Sequence, residues 1–260
     1  MQLTVLGRYA PYPAPGGACS GYLIQNGETS IMLEAGNGSF SRLCKHIDFR
    51  YLAAVVITHL HPDHYMDIFC LRHAIAGAIR EKKRPGPLAL FMPGSPAEEY
   101  QRLAQYTDTF IINKIEDMPT VNLTAGVQVH RCRVGMLQLE FALNRHPVPA
   151  YAVGIDCGRG RMVFSGDTSR TKELEELARG ADLFLCEASG LDKDVEFVRG
   201  SHLTARQAGQ LAKDAGVRKL LITHLYPEYN INELSIQAGE GYGKTVAVAK
   251  EDAKYDIKNA

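Results

Sequence analysis

The sequence predicts an α/β fold, a four-layer αβ/βα sandwich built as a single domain over residues 1–260. Three observations carry that expectation. Leu52-Ala53-Ala54-Val55-Val56-Ile57 is a continuous apolar run with β-branched residues, the pattern of a strand covered on both faces. Beyond it, Ile68, Leu71, Ile75, Ala78 and Ile79 recur at helical spacing. Finally, Val56-Ile57-Thr58-His59-Leu60-His61-Pro62-Asp63 is echoed by Leu221-Ile222-Thr223-His224-Leu225-Tyr226-Pro227-Glu228, each a strand that delivers a histidine at its end. Two β-rich halves covered by helices, with no linker-like composition between them, would bring both strand ends to one seam.

The remaining elements follow in order. Residues 2–6 alternate like a strand, and Pro11 to Gly17 is a loop punctuated by proline and glycine. Tyr22 to Gln25 and Ser30 to Glu34 read as a hairpin around Asn26-Gly27, and a short helix precedes the central strand. The helix beginning near Ile68 runs to about Lys83. Lys82-Lys83-Arg84-Pro85-Gly86-Pro87 closes it with basic side chains suited to a helix C-terminus. Leu88 to Met92 is a strand, and Ser95-Pro96-Ala97-Glu98 reads as a capping box for a helix over 96–106. Strands near 109–113, 127–133, 137–143, 150–156 and 161–165 form a meander. Thr171 to Leu177 is a helix and Ala181 to Cys186 a buried strand. Thr204-Ala205-Arg206-Gln207 is another capping box, opening a helix with Ala208, Leu211, Ala212 and Ala215 on one face and Gly216 at its end. Lys219 to Thr223 is a strand ending at His224, the last strand spans 245–249, and the final ten residues, being polar, are expected to fray.

Apolar residues make up 45 % of the chain and charged residues 22 %, enough for a sizeable core. Basic and acidic residues number 29 each, and zero formal net charge argues against a dominant non-specific hold on nucleic acid. The cysteines, Cys19, Cys44, Cys70, Cys132, Cys157 and Cys186, contain no Cys-x-x-Cys pair; Cys70 and Cys186 lie in apolar stretches, as buried free thiols do. Met1 to Gly7 lacks a signal h-region, and no apolar run approaches bilayer-spanning length. The expected location is the reducing cytoplasm, away from membranes.

The chemistry concentrates where the central strand ends. His59, His61, Asp63 and His64 crowd one short loop, and imidazole with carboxylate at this density suits a borderline divalent metal such as zinc. As a way to build a core it would leave buried polar groups in need of partners. With Leu60 turned the other way, His59 and His61 share one side of an extended loop and can share one ion. Asp63 and His64, further on, can serve a second. His146, Asp167 and His224 carry little weight singly and gain it beside this cluster, because the same strand-end placement recurs. His46, His73 and His130 have no such company and are expected to be structural or exposed.

His59-Leu60-His61-Pro62-Asp63-His64, followed in order by His146, Asp167 and His224, resembles the metallo-β-lactamase superfamily over nearly the whole chain. Ser165-Gly166-Asp167-Thr168, Ala181 to Ala188 and Ser201-His202-Leu203-Thr204 resemble its ribonuclease Z-like branch. The resemblance implies the αβ/βα sandwich with two divalent ions at its seam. His59, His61 and His146 would hold one ion, Asp63, His64 and His224 the other, and Asp167 would bridge them. It further implies a metal-bridging hydroxide as nucleophile, with Asp63 placed to take its proton and His202 facing the scissile phosphate. Glu187 would orient His202 or a ligand. Zinc is the first expectation, with manganese, iron and nickel as alternatives at such N/O sites.

Two departures from that branch matter. Bacterial ribonuclease Z enzymes insert a long glycine- and proline-rich arm, which grips tRNA, between the third histidine and the bridging aspartate. Here Pro147 to Phe164 holds only two strands and the Cys157-Gly158-Arg159-Gly160-Arg161 turn, a short form without the arm. Glu34 stands where relatives usually have aspartate, one methylene longer.

The expected function is therefore that of a di-metal phosphodiesterase acting on a small phosphodiester, a cyclic nucleotide or a short nucleic-acid end. The same scaffold supports thioesterase, lactonase and sulfatase chemistry. Processing of tRNA 3′ ends is disfavoured by the missing arm and the zero net charge, and a metal-binding module without turnover ranks last against a complete ligand set. The resemblance also suggests a homodimer, with the helix over 68–79 and the Lys82–Pro87 turn as contact surface.

Overall fold

Two mixed sheets lie face to face. In the computed structural model, which describes residues 1–124 and 126–258, the first sheet runs in the order β15 (Lys254–Asp256), β1 (Gln2–Gly7), β2 (Gly21–Asn26), β3 (Thr29–Ala35), β4 (Ala54–Val56), β5 (Leu88–Met92), β6 (Phe110–Lys114). The second runs β14 (Ala247–Val248), β13 (Leu220–Thr223), β12 (Leu183–Glu187), β11 (Arg161–Phe164), β10 (Tyr151–Asp156), β9 (Leu137–Leu143), β8 (Val127–Val134), β7 (Thr120–Thr124). Helices α1 (Ser39–His46), α3 (Ile68–Arg80) and α4 (Ala97–Ala104) cover the outside of the first sheet, and the single turn α2 (Pro62–Tyr65) sits at its end. Helices α5 (Lys172–Ala178), α6 (Ala205–Asp214) and α7 (Ile231–Tyr242) cover the second. This is the four-layer sandwich expected from the echo of the two strand ends.

Alternation along the strands makes the layers. Ile31, Leu33, Ala54 and Val56 of the first sheet meet Phe141, Val153, Phe164 and Leu185 of the second. The opposite faces, with Met32, Val55 and Ile57, receive Leu43, Ile68, Leu71, Ile75 and Leu103 from the outer helices. Each such buried side chain contributes roughly 1.5–3 kcal/mol. In the second half, α6 and α7 touch almost backbone to backbone. A Cβ on Gly209 would lie 2.1 Å from the carbonyl oxygen of Ala238, and one on Gly241 2.2 Å from that of Arg206.

Parallel pairing places the working ends together. β3, β4 and β5 are parallel neighbours in one sheet and β11, β12 and β13 in the other. Loops at the C-terminal ends of such strands form the natural crevice of an α/β sheet.

Several expectations need correction. Ser95 forms no capping box: the helix begins at Ala97 with Pro96 at the cap position, so the Ser95 hydroxyl is one residue too far out to reach the first turn. The box at Thr204 does form, its hydroxyl accepting from Gln207 N while the Gln207 side chain accepts from Thr204 N. Cys70 is exposed, because on α3 it lies off the stripe of Ile68, Leu71 and Ile75; Cys186 is buried, and all the cysteines are free. Strand β7 and helix α7 had no counterpart in the sequence reading. The C-terminal stretch expected to fray instead supplies β15, paired antiparallel with β1, while residues 259 and 260 lie outside the described residues. The basic run after α3 is structural in part: Arg84 donates to the carbonyls of Leu52 (3.0 Å) and Gly86 (2.9 Å). Among the described residues no helix is long and apolar enough to cross a membrane.

Candidate metal centre and cleft

β4 ends one turn of extended chain before His59, and His61 precedes α2, whose first turn carries Asp63 and His64. His146 lies in the β9–β10 loop, Asp167 follows β11, His202 precedes α6, and His224 follows β13. The seam brings all of them together.

The side chains form two groups around Asp167. His61 Nδ1 lies 3.1 Å from His59 Nε2 and 3.2 Å from His146 Nε2, and His59 Nε2 is 3.5 Å from Asp167 Oδ2. On the other side His64 Nε2 and His224 Nε2 are 3.1 Å apart. Asp63 Oδ2 lies 3.5 and 3.6 Å from those two nitrogens, and Asp167 Oδ1 lies 3.5 and 3.1 Å from them. One carboxylate oxygen of Asp167 thus faces each group.

These residues fit divalent ions. Ligands about 2.0–2.2 Å from a tetrahedral ion are roughly 3.3–3.6 Å apart, close to the spacing found. Three imidazole nitrogens converging on one point cannot be satisfied by shared protons. Asp167 Oδ1 is buried with no hydrogen-bond partner, an orphan of the kind a cation resolves. Burial and the neighbouring imidazoles push His59, His61 and His146 down, towards the neutral form that ligates. Burial opposes ionisation of Asp63 and Asp167, but the surrounding histidines outweigh it and hold both well below the usual carboxylate range.

In three of the rings the far nitrogen is tied to an oxygen, which fixes its tautomer and aim. Nδ1 of His146 donates to the Ser201 carbonyl (2.9 Å), that of His59 meets Thr58 Oγ1 (3.1 Å), and that of His224 meets Ser189 Oγ (2.8 Å). His64 Nδ1 is 3.4 Å from Glu34 Oε2, a long contact without good hydrogen-bond geometry. The extra methylene of Glu34 still reaches the metal loop, since Oε1 accepts from Thr58 N at 3.0 Å. Glu34 and His224 both hold positive φ, 58° and 56°, where non-glycine residues are uncommon. Gly36 runs so close to the loop that a Cβ there would meet the Asp63 carbonyl oxygen at 2.1 Å.

Glu187, fully buried, is the hub of the second half. It accepts from Thr168 N (2.6 Å), Leu203 N (3.3 Å) and Ser189 Oγ (2.5 Å), and meets His202 Nδ1 at 3.1 Å. Burial would push the His202 imidazole down, but Glu187, with Asp167 at 3.8 Å, more than offsets it and lifts it to about 9. His202 thus holds Nδ1 against Glu187, and its Nε2 has no protein partner among the described residues.

A cleft of about 570 Å³ opens over these groups. Its floor is His61, Asp63, His146, Asp167, His202 and His224; its lip carries Phe197, 88 % exposed, and the rings of Tyr226 and Tyr229. Of the other residues singled out for chemistry, His59 and His64 are fully buried beside these groups rather than lining the cleft, and Glu187 lies behind His202. His46, His73 and His130 lie elsewhere: they meet Asp252, Arg72 and the Met118 carbonyl. Sequence reading missed Ser189 and Phe197. Ser189 was within reach, being two residues past Glu187 at a strand end and so on the same face; nothing in the sequence marked Phe197.

The β-lactamase superfamily domain matches residues 29–225. The chain is 31 % identical, over 96 % of its length and 97 % of the relative's, to the probable metallo-hydrolase YhfI of Bacillus subtilis. The crystal structure of B. subtilis YhfI, a metallo-β-lactamase fold protein, superposes with a TM-score of 0.86 at 27 % identity over 98 % of each chain. Ribonuclease Z of Brevibacillus brevis is 26 % identical over 76 % of each chain. Human tRNase Z, short form, shares the fold with a TM-score of 0.77 at 18 % identity over the whole of both chains. The chain belongs to the metallo-β-lactamase superfamily. Within it, the histidine–aspartate cluster and the likeness to YhfI make it a metal-dependent hydrolase with a ribonuclease Z-like fold.

Proposed function

We propose that this hydrolase is a phosphodiesterase with two divalent ions, zinc by preference. His59, His61 and His146 would hold one ion and Asp63, His64 and His224 the other, with Asp167 shared. Bound ions supply Lewis-acid polarisation of a phosphoryl oxygen and a lowered pKa for water. The chain's own residues supply the rest. Asp63, at the floor of the cleft with 11 % of its side chain exposed, accepts a proton from the attacking water. His202, held by Glu187 through Nδ1, donates from Nε2 to the leaving oxygen or to the charge developing on the phosphate.

The observation that carries the phosphate reading is His202 on Glu187. An imidazole held through Nδ1 by a buried carboxylate, with Nε2 free beside the metal-facing groups, is a donor suited to the spread negative charge of phosphoryl transfer. The resemblance to ribonuclease Z proteins supports the same class. The short β10–β11 turn, which leaves no arm, and zero net charge favour a small phosphodiester over tRNA. The test is hydrolysis of bis(p-nitrophenyl) phosphate beside a thioester and a lactone, with metal content measured on the same sample. Chelator-sensitive phosphodiester cleavage with about two ions per chain is the expected result. Thioester or lactone cleavage alone would overturn the substrate class, and bound metal without any turnover would overturn the enzyme.

A further inference from the structure

A second pocket, of about 560 Å³, adjoins the cleft across His202, which lines both. Its other walls are Arg145, Arg170, Arg199, Gln207 and Gln210, with Ser169 at its side and Val195 as its one apolar member. Among the described residues no carboxylate lines it.

Its construction favours an anion. Arg145 immediately precedes His146 in the β9–β10 loop. His146 lines the cleft, while Arg145 lines the adjoining pocket and also a further one that holds Glu173. The Arg145 backbone is pinned to the strand end bearing Asp167, since Ser169 N donates to its carbonyl (3.0 Å) and its own N–H to Thr168 Oγ1 (3.3 Å). Among the described residues its guanidinium has no hydrogen-bond or ion-pair partner. Arg170 is held rigid by Glu175 (2.5 Å) and Asp214 (2.7 Å) behind the pocket. Among the described residues Arg199 meets only Glu196, in a largely exposed pair that an entering phosphate can replace. The Ser169 hydroxyl oxygen is buried without a partner. A free guanidinium and an exchangeable one at one concavity are donors awaiting acceptors.

We infer that this pocket is a subsite for a second phosphate, next to the one that is cleaved. The inference rests on the phosphodiesterase reading and narrows it: the preferred substrate carries a further phosphate beside the scissile diester, as a phosphorylated dinucleotide or oligonucleotide end does and a cyclic mononucleotide does not.

The test compares kcat/KM of the metal-loaded enzyme on pApA, ApA and 3′,5′-cyclic AMP. A phosphate gripped by Arg145 should favour pApA over ApA by about tenfold or more. Arg145→Ala should bring that ratio towards one, and Arg145→Lys should keep part of it. Equal rates on pApA and ApA, a ratio untouched by Arg145→Ala, or a clear preference for cyclic AMP would each overturn the subsite. Failure to cleave any of the three, with bis(p-nitrophenyl) phosphate also intact, would instead sink the phosphodiesterase reading beneath it.

Discussion

Nδ1 of His224 meets the Ser189 hydroxyl at 2.8 Å, and that hydroxyl reaches on to Glu187 at 2.5 Å. The ring is thereby held with Nε2 towards Asp167 and His64. Ser189→Ala removes the hold without touching a proposed ligand. Outer partners of this kind are worth about 10–100-fold in metal affinity. Competition with a chromophoric chelator should show one of the two ions weakened to that extent, and Ser189→Thr should restore it. Unaltered affinity in the alanine variant would mean that packing alone positions His224.

His202 and Asp167 separate catalysis from metal retention. His202→Ala should lower kcat on bis(p-nitrophenyl) phosphate by roughly 10²-fold while metal content stays unchanged. Asp167→Ala should release metal, because both groups lose the oxygen that faces them. If Asp167→Ala retains two ions, its place between them is misassigned.

The α6–α7 crossing yields a stability test far from the chemistry. Gly209→Ala puts a methyl group against the Ala238 carbonyl, and backbone cannot step aside cheaply. A loss of roughly 1–3 kcal/mol or more in urea unfolding is expected. Gly77→Ala is the control. It sits inside α3 with nothing within 4 Å of the new atom, and should stabilise by about 0.4–1 kcal/mol.

Asp252 gives a pH dependence. Partial burial works against its ionisation, but His46 at 2.9 Å and Arg42 at 2.9 Å outweigh it and hold the carboxyl below its usual value. A depressed carboxylate stabilises the fold above its unfolded pKa of about 3.9, and the contribution is lost as pH falls through the folded value. With 41 % of the side chain exposed, the effect should be under about 1 kcal/mol. Asp252→Asn tolerates the local positive φ of 66° and removes only the charge. The stability gap between wild type and variant should be present at pH 7 and close below pH 4. A gap that does not shrink as pH falls below 4 would assign the effect to something other than charge.

How much was legible in the chain depends on whether the signal is local. The strand before His59, the Thr204 box and helix α6 announce themselves, since burial on both faces and a cap each leave a local pattern. The ligand cluster was legible because three imidazoles and a carboxylate share one loop. Strand β7, alternating between exposed and half-buried, has too weak a contrast to be seen. Helix α7 hides because glycines replace bulk at its contact with α6, thinning the apolar stripe. The relay through Ser189 and the pocket beside Arg145 depend on which loops meet at the seam, which no short window contains.

Strand β15 completes the first sheet by pairing with β1, residues 254–256 against residues 2–4. The strand at residues 2–4 therefore waits for a partner made about 250 residues later, on the order of tens of seconds at the ribosome. Throughout that interval β1 offers a free row of backbone donors and acceptors, the surface on which nascent chains associate wrongly. Pairing with β15 is thus also a protective step, and chains that stall short of residue 254 should be the ones most dependent on chaperones.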